Sequence, residues 1–349
     1  MGPPWPGPER AAAQPLLELQ QPVTVLPAAP PRRPERPRYG LALLLLALTF
    51  FTATSAGPAF LLWSRTDVLT DLDILLMPSQ IARVWSDPAL LRLGLAYSIP
   101  ALLILLAHEL GHYVACRLYR LPVTLPYFLP SPGMLGTLGA FIKIKAPLRS
   151  KKELFDVGIA GPIAGFVALV PFLLYGAAMS EPVALGAFQG GLLVPARCLA
   201  MDLALWLFHG RVAPGMVVNY HPFALAAWFG LLATAINLIP LGQLDGGHIL
   251  YAAAGRWQRR LALPLWLALG LAGILWPGWL LWCALTFLRG LYHPPVWDES
   301  TPLDRKRRWL AASALVMLVL SFPLGSALEI REGAPPPAPA GLTAQAAAP

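Results

Sequence analysis

The chain has 349 residues, of which 56% are hydrophobic and 13% charged. Soluble domains carry roughly a quarter charged residues, so a soluble enzyme or binding module is excluded and an integral membrane protein is expected. The formal net charge of +8 lies in clusters flanking apolar runs, with no basic-aromatic groove pattern, so it reads as topology and no nucleic-acid partner is expected.

Residues 1–38 are Pro-rich, with Arg32, Arg33, Arg36 and Arg38 just ahead of the first apolar run. The charge lies too deep and the apolar run is too long for a cleavable signal, so a disordered cytoplasmic tail is expected. About 20 apolar residues cross the ~30 Å hydrocarbon core. Runs of that kind lie at 40–63, 90–116, 154–178, 221–240, 261–289 and 308–328. They predict an all-α polytopic membrane protein of about six transmembrane helices. The shorter run 244–256 continues the helix at 221–240 after a break, and 331–349 is a second low-complexity tail.

Arg117/Arg120, Lys143–Lys152 and Arg256–Arg260 fall on one side if the spans alternate, and loops 64–89 and 179–220 on the other. This puts the N-terminus in the cytoplasm. Arg305-Lys306-Arg307-Arg308 is external if 261–289 crosses once, and cytoplasmic if Pro277-Gly278 splits that run into a hairpin. Both arrangements stay open. The three cysteines, Cys116, Cys198 and Cys283, have no paired spacing, so neither a disulfide framework nor a cysteine zinc site is expected.

His108-Glu109-Leu110-Gly111-His112 lies inside the apolar run 90–116. Residues i and i+4 of a helix face the same way, so two imidazoles can hold one Zn²⁺ while Glu109 takes a proton from the attacking water. An ionisable group at membrane depth costs roughly 3 kcal/mol on insertion scales, which makes function the default reading. The bland alternative is a pair of structural histidines. A soluble zincin with a third histidine does not fit, since Ala115 and Leu118 occupy the positions that need Gly and His. His108 comes some 18 residues into a span entered from outside, roughly 27 Å along the axis, so the metal lies toward the cytoplasmic face.

Catalytic zinc usually has three protein ligands. Asp245 is the candidate for the third, in Asn237-Leu-Ile-Pro240-Leu-Gly-Gln-Leu-Asp245-Gly246-Gly247-His248. Pro240 and the two glycines loosen the helix there, and irregular backbone at membrane depth lines a cavity. Taken alone, an interfacial turn with an Asp N-cap explains the same residues.

With His108, Glu109 and His112, then Asn237, Pro240, Leu244, Asp245 and Gly246, and Ala160-Gly161-Pro162-Ile163-Ala164-Gly165 between them, the chain resembles the site-2 protease family. These are intramembrane zinc metalloproteases, peptidase family M50. The resemblance covers about 95–256 and implies a three-helix catalytic core within 90–256. Around it lie a first transmembrane helix and external loop at 39–89 and additional C-terminal helices at 257–330. It implies that His108, His112 and Asp245 bind one zinc ion, that Glu109 is the general base, and that Asn237 lies near substrate or oxyanion. The small-xxx-small spacing of Gly161 and Gly165 lets helices approach closely.

In 121–147, Phe141-Ile-Lys143-Ile-Lys145 alternates like a strand, and Leu135-Gly136-Thr137-Leu138-Gly139-Ala140 offers accessible backbone. The family carries a membrane-associated β element here. Its edge can pair with an unwound substrate, which makes Gly136 and Gly139 candidate substrate-binding residues. The alternative is a cytoplasmic hairpin whose lysines meet anionic lipid.

His248 is a neighbour of the metal or a polar helix end; His209, His221 and His293 are expected at caps or interfaces. The tryptophans, such as Trp276, Trp279 and Trp282, are expected in an interfacial belt. The implied activity is hydrolysis of peptide bonds in or near transmembrane segments, with transmembrane protein substrates and the lipid bilayer as partners. A separate site-1-type protease makes a first cut in many such systems. Loop 179–220 is too short for the family's PDZ domain, and no room follows 256 for a nucleotide-sensing domain. The Ala/Pro/Leu/Arg-rich composition suggests a bacterial cell inner membrane, and residues 1–38 have too little Ser and too many acidic residues for a transit peptide. A catalytically silent relative that binds transmembrane helices and a metal transporter are the competing classes.

Overall fold

The computed structural model describes residues 38–62, 78–184, 191–255, 257–274 and 278–332. The expected tails, apart from their innermost residues, lie outside the described residues. So do part of the loop after the first helix and Pro277 of the suspected hairpin turn. In chain order the elements are α1 (Tyr39–Leu62), α2 (Pro78–Ser86), α3 (Pro88–Leu118), β1 (Tyr127–Pro130), β2 (Thr137–Phe141) and α4 (Lys151–Ala178). There follow β3 (Glu181–Ala184), β4 (Gly191–Arg197), α5 (Leu199–His209), β5 (Met216–Asn219) and α6 (Pro222–Leu238). The last elements among the described residues are α7 (Asp245–Ala254), α8 (Trp257–Ala272), α9 (Gly278–Arg289), α10 (Arg305–Ser321) and β6 (Leu324–Glu332).

Local chemistry sets the starts of the long helices. Asp87 caps α3 by accepting from the Ala89 N–H at 2.8 Å, and Pro88 takes the first helical position, where its missing donor costs nothing. Ser150 caps α4 by accepting from the Glu153 N–H, and Glu153 reaches back to the Arg149 N–H at 2.8 Å. His221 caps α6 through Nδ1, which accepts from the Phe223 N–H.

Among the described residues, three helices are long and apolar enough to cross a membrane: Tyr39–Pro58 of α1, α3 and α4. The apolar helices α5, α6 and α9 are shorter. Lipid tails are as apolar as leucine, so helices gain little by burying leucine against each other and must gain by close approach. The packing shows this. A Cβ on Gly230 of α6 would sit 2.8 Å from Ile104 of α3, and one on Gly176 of α4 would sit 2.2 Å from the Ala224 nitrogen of α6. Around these contacts Ala101, Leu105, Leu169, Leu173, Ala227 and Leu231 form the main core. At the crossing of α1 and α3 a Cβ on Gly94 would come within 2.2 Å of the Thr54 carbonyl oxygen, and the buried Thr54 and Ser98 hydroxyls are 2.8 Å apart.

Helices α8 and α9 answer the open question about 261–289. They pack as a helical pair, with the Trp266 indole N–H donating to the Cys283 carbonyl at 3.0 Å, so the run is two helices rather than one. A non-helical strap, 290–304, then returns to the start of α4, where the Asp298 N–H donates to the Arg149 carbonyl at 2.8 Å. Arg307 on α10 forks onto Asp156 of α4, Nε to Oδ1 at 2.7 Å and a second nitrogen to Oδ2 at 2.5 Å. Asp156 also accepts from the Tyr119 hydroxyl just past α3. The cluster Arg305–Arg308 therefore sits at the same end as the start of α4 and the end of α3. Asp304, which caps α10, is held below its ordinary pKa mainly by the Arg307 backbone N–H, with help from the guanidinium.

The structure is mostly helical, as expected, and carries more β structure than the one small element expected. Among the described residues there are three two-stranded antiparallel sheets, β1–β2, β3–β5 and β4–β6. The first is the β element expected within 121–147, with Tyr127 opposite Phe141 and Leu129 opposite Gly139. The other two were unforeseen, because their strands are short or interrupted by Pro and Gly and lack a clear alternation. The expected span 308–328 also ends early, at Ser321. Pro323 cannot continue the helix, and Leu324–Glu332 pairs with β4 instead.

Two outcomes test this architecture. Single cysteines introduced at Lys152 and Lys306 should label from the same face of sealed vesicles; labelling from opposite faces would rule out the α8–α9 hairpin. Gly136 has φ +68°, and a Cβ there would lie 2.3 Å from the Ala53 Cα of α1. Gly136→Ala should therefore destabilise the detergent-solubilised protein by about 2–4 kcal/mol, read as a fall in its unfolding midpoint.

Candidate metal centre

His108 and His112 lie in the last third of α3, one turn apart, and both are buried. Asp245 is the first residue of α7, immediately after the break that Pro240 and Gly242 impose on the chain leaving α6. Gly242 adopts φ +50°, a left-handed conformation natural to glycine. Gly246 and Gly247 let α7 fold tightly back, since Cβ atoms there would sit 2.0 Å from the Leu238 carbonyl oxygen and 2.4 Å from that of Gly242.

The three ligand atoms form a small triangle. His108 Nε2 is 3.2 Å and His112 Nε2 3.3 Å from Asp245 Oδ2, and the two nitrogens are 3.1 Å apart. Such edges belong to a tetrahedron whose centre lies about 2 Å from each corner, close to the ~2.0–2.2 Å of zinc bonded to imidazole nitrogen and carboxylate oxygen. The protons point the same way. His112 Nδ1 donates to the Val157 carbonyl of α4 at 2.7 Å, so its Nε2 is a bare lone pair when the ring is neutral. A lone pair aimed at a carboxylate oxygen and at another ring nitrogen needs a proton or a metal cation between them, and a metal ion would satisfy all three atoms at once. Among the described residues this is the one group of three or more His, Cys, Asp or Glu side chains whose ligand atoms could share a metal ion.

The glycines of α4 make room for these rings. A Cβ on Gly161 would overlap His112 Nε2 at 2.1 Å, and one on Gly165 would press on His108 at 3.0 Å. Gly111 lets the two backbones meet, since a Cβ there would lie 2.3 Å from the Ala160 carbonyl oxygen. The Ala-Gly-Pro-x-Ala-Gly segment thus acts through the imidazoles as well as through helix packing.

Glu109 is buried beside the triangle, with its carboxylate within reach of the Ile142 N–H just beyond β2. Asn237 lies in the last turn of α6, and its Nδ2 is 3.4 Å from His108 Nε2. The structure thus brings Glu109 and Asn237 to the same place as the three ligand candidates. Gly136 and Gly139 behave differently from each other. Gly136 is packed against α1, its carbonyl accepting from the Thr52 hydroxyl at 2.6 Å and its N–H donating to the Gly133 carbonyl at 2.8 Å. Its backbone is therefore committed to holding the hairpin on α1 rather than open to a substrate. Gly139 has φ +106° and open space where a Cβ would be, on a strand whose second edge has no partner among the described residues.

Other expectations divide. His221 is a helix cap, and His209 Nε2 donates to the Ala177 carbonyl at 2.7 Å. His293 is a correction: it is buried, with its Nε2 2.8 Å from His248 Nδ1. Trp279 is also a correction, buried and stacked on Phe322 rather than placed in an interfacial belt, while Trp276 lies outside the described residues. Cys116 is buried away from the triangle, against Leu121 and Val157. Val157 escaped the sequence reading altogether, because it acts through its carbonyl and any residue type would supply one.

Gly161→Ala removes no ligand, yet it should strip metal from the purified protein. Zinc content by mass spectrometry should fall at least about tenfold, as expected when the surroundings of a ligand are disturbed; full retention would mean that the α4 glycines do not shape the site.

Comparison with known proteins agrees with this arrangement. The chain is 29% identical over 317 residues to the probable zinc metalloprotease EGY1, chloroplastic, of Arabidopsis thaliana, covering 82% of this chain and 53% of that protein. It is 30% identical over 240 residues to the corresponding EGY2 protein of Oryza sativa subsp. indica, covering 67% of this chain and 43% of the relative. The chain thus spans about half the length of these curated relatives. No solved structure matches it. The model of peptidase family M50 matches residues 96–272, which include both histidines, Glu109, Asn237 and Asp245, and the chain belongs to that family.

Proposed function

We propose that this protein is a zinc-dependent metalloendopeptidase that hydrolyses peptide bonds in or near the transmembrane segments of other membrane proteins. The observation that carries the reading is the convergence of His108, His112 and Asp245 beside Glu109, on a helix long and apolar enough to cross a membrane. His108 Nε2, His112 Nε2 and an Asp245 carboxylate oxygen hold the zinc, which when bound supplies a Lewis acid for polarising the scissile carbonyl.

The chain's own groups carry the protons. A carboxylate oxygen of Glu109 takes a proton from the attacking water as the water oxygen bonds to the scissile carbon. The same carboxyl then gives that proton to the departing amide nitrogen as the carbon–nitrogen bond breaks, which returns Glu109 to its starting state. Asn237 Nδ2 is a neutral donor beside His108 and suits the oxygen on which negative charge develops.

A transmembrane helix hides its carbonyls in its own hydrogen bonds, so a substrate must unwind before it can be cut. The free edge of β2, with Gly139 on it, offers main-chain groups for the unwound segment, and the chain just past this strand runs by Glu109. Helix-breaking Gly or Pro in the substrate therefore favours cleavage. We place the activity in regulated intramembrane proteolysis at a multi-pass membrane site near the cytoplasmic side, with an upstream site-1-type cut as the usual trigger. The Ala/Pro/Leu/Arg-rich composition favours a bacterial cell inner membrane, whereas the relatives' names place those proteins in chloroplasts.

Glu109→Gln decides the matter. Full-length variant and wild type, reconstituted with a transmembrane reporter substrate, should bind equal zinc, while the variant cleaves about 10²–10⁴-fold more slowly. Cleavage by the variant at the wild-type rate would overturn the mechanism. Metal flux without cleavage by either form would favour a transporter.

A further inference from the structure

The family match ends at residue 272, yet the chain beyond it reaches the turn that presents Asp245. The strap grips that turn on both sides. Three residues before Asp245, the Gly242 N–H donates to the Leu291 carbonyl at 3.0 Å, and a Cβ on Gly242 would meet the Gly290 carbonyl oxygen at 2.3 Å. Three residues after Asp245, His248 Nδ1 lies 2.8 Å from His293 Nε2. The strap itself is held by the fully buried Gln258, whose Nε2 donates to the Leu291 carbonyl and whose Oε1 accepts from the His293 N–H. The His293 ring is further stacked on Tyr251, with centroids 4.5 Å apart.

The proton order in this pair follows from one carbonyl. His293 Nδ1 is 2.6 Å from the Pro294 carbonyl oxygen, which can only accept, so Nδ1 carries the proton. The neutral His293 ring then offers a bare Nε2, and the proton between the two rings must belong to His248 Nδ1. Residues i and i+3 of a helix share a face, so His248 sits on the Asp245 side of α7. It is wedged there against α4, where a Cβ on Gly158 would lie 2.9 Å from the His248 Cβ. Gly158 follows Val157, whose carbonyl orients His112. One turn of α4 therefore braces both a ligand candidate on α3 and the first turn of α7.

We propose that His293 is a positioning residue for the metal centre. It locks His248 in one tautomer and orientation, and with Leu291 it clamps the turn that holds Asp245 in place. The strap is thus a working part of the site, contributed from outside the family core. The proposal rests on the reading of His108, His112 and Asp245 as zinc ligands.

Two measurements on the full chain in detergent test it. The first is zinc affinity by chelator competition for wild type, His293→Leu and His293→Gln. Leucine fills the space without an acceptor, whereas glutamine keeps an oxygen for the His248 proton. Leucine should weaken zinc binding about 10–100-fold and glutamine should stay within about threefold of wild type. Wild-type affinity in the leucine variant would overturn the proposal. The second is nitrogen NMR of the histidine-labelled, metal-free wild type, with His248 assigned through His248→Asn. A proton on His248 Nδ1 is expected, and one on Nε2 would sink the pairing. If the leucine variant does not fold, this spectrum decides by itself. A wild-type chain that binds no zinc would fail the reading of the centre, while the spectrum still judges the pair.

Discussion

Three lone-pair-bearing atoms drawn to within 3.1–3.3 Å of one another, in a membrane protein's core, is the constraint on which the rest of the structure depends. Unless a proton or a metal cation lies between them they repel, so packing must hold them in register. It does so with few polar resources. Val157 gives a carbonyl to His112, Gly161 and Gly165 give space to the rings, and Gly111 brings α3 and α4 into backbone contact. Each of these works because it has no bulk or needs none. In a medium where apolar burial between helices gains little, close approach is what remains to stabilise the arrangement.

The same economy links the site to its surroundings. The β1–β2 hairpin is fastened to α1 through Gly136 and Thr52, and the chain just past β2 runs by Glu109, while the second edge of β2 has no partner among the described residues. At the other end, Arg307 and Tyr119 share the Asp156 carboxylate, tying α10, α4 and the end of α3 together close to the pair of histidines. A forked Arg–carboxylate contact has directional strength that a lysine point charge lacks, so this tie also sets the angle at which α10 approaches. The centre is thus held from the hairpin side and from the α10 side by contacts that do not touch it.

Much of this was legible in the chain because spacing carries geometry. His108 and His112 share a helix face by arithmetic, and Pro240 with Gly246 and Gly247 announces the broken helix that presents Asp245. A β element was expected within 121–147, but the alternation read at 141–145 falls just past β2, which ends at Phe141. What stayed hidden depends on partners remote in sequence. Nothing local in Leu291 or His293 indicates that they meet Gly242 and His248, and His293 beside two prolines reads as an ordinary interfacial residue. Gly136 and Gly139 look alike as letters, yet one is spent on a helix contact and the other is not. The strands β3 to β6 were invisible for a related reason. They are fixed by pairing across long separations, and the apolar stretch that ends in β6 is indistinguishable from a helix until Pro323 is taken into account.

The strap also gives the protein a timetable. A chain grows from its N-terminus, so α3, α4 and α7 are made before the strap. The turn carrying Asp245 receives its outside hydrogen bonds only after Leu291 and His293 have been added. A molecule made only as far as α7 therefore carries all three ligand candidates and Glu109 before the strap can grip the turn that holds Asp245.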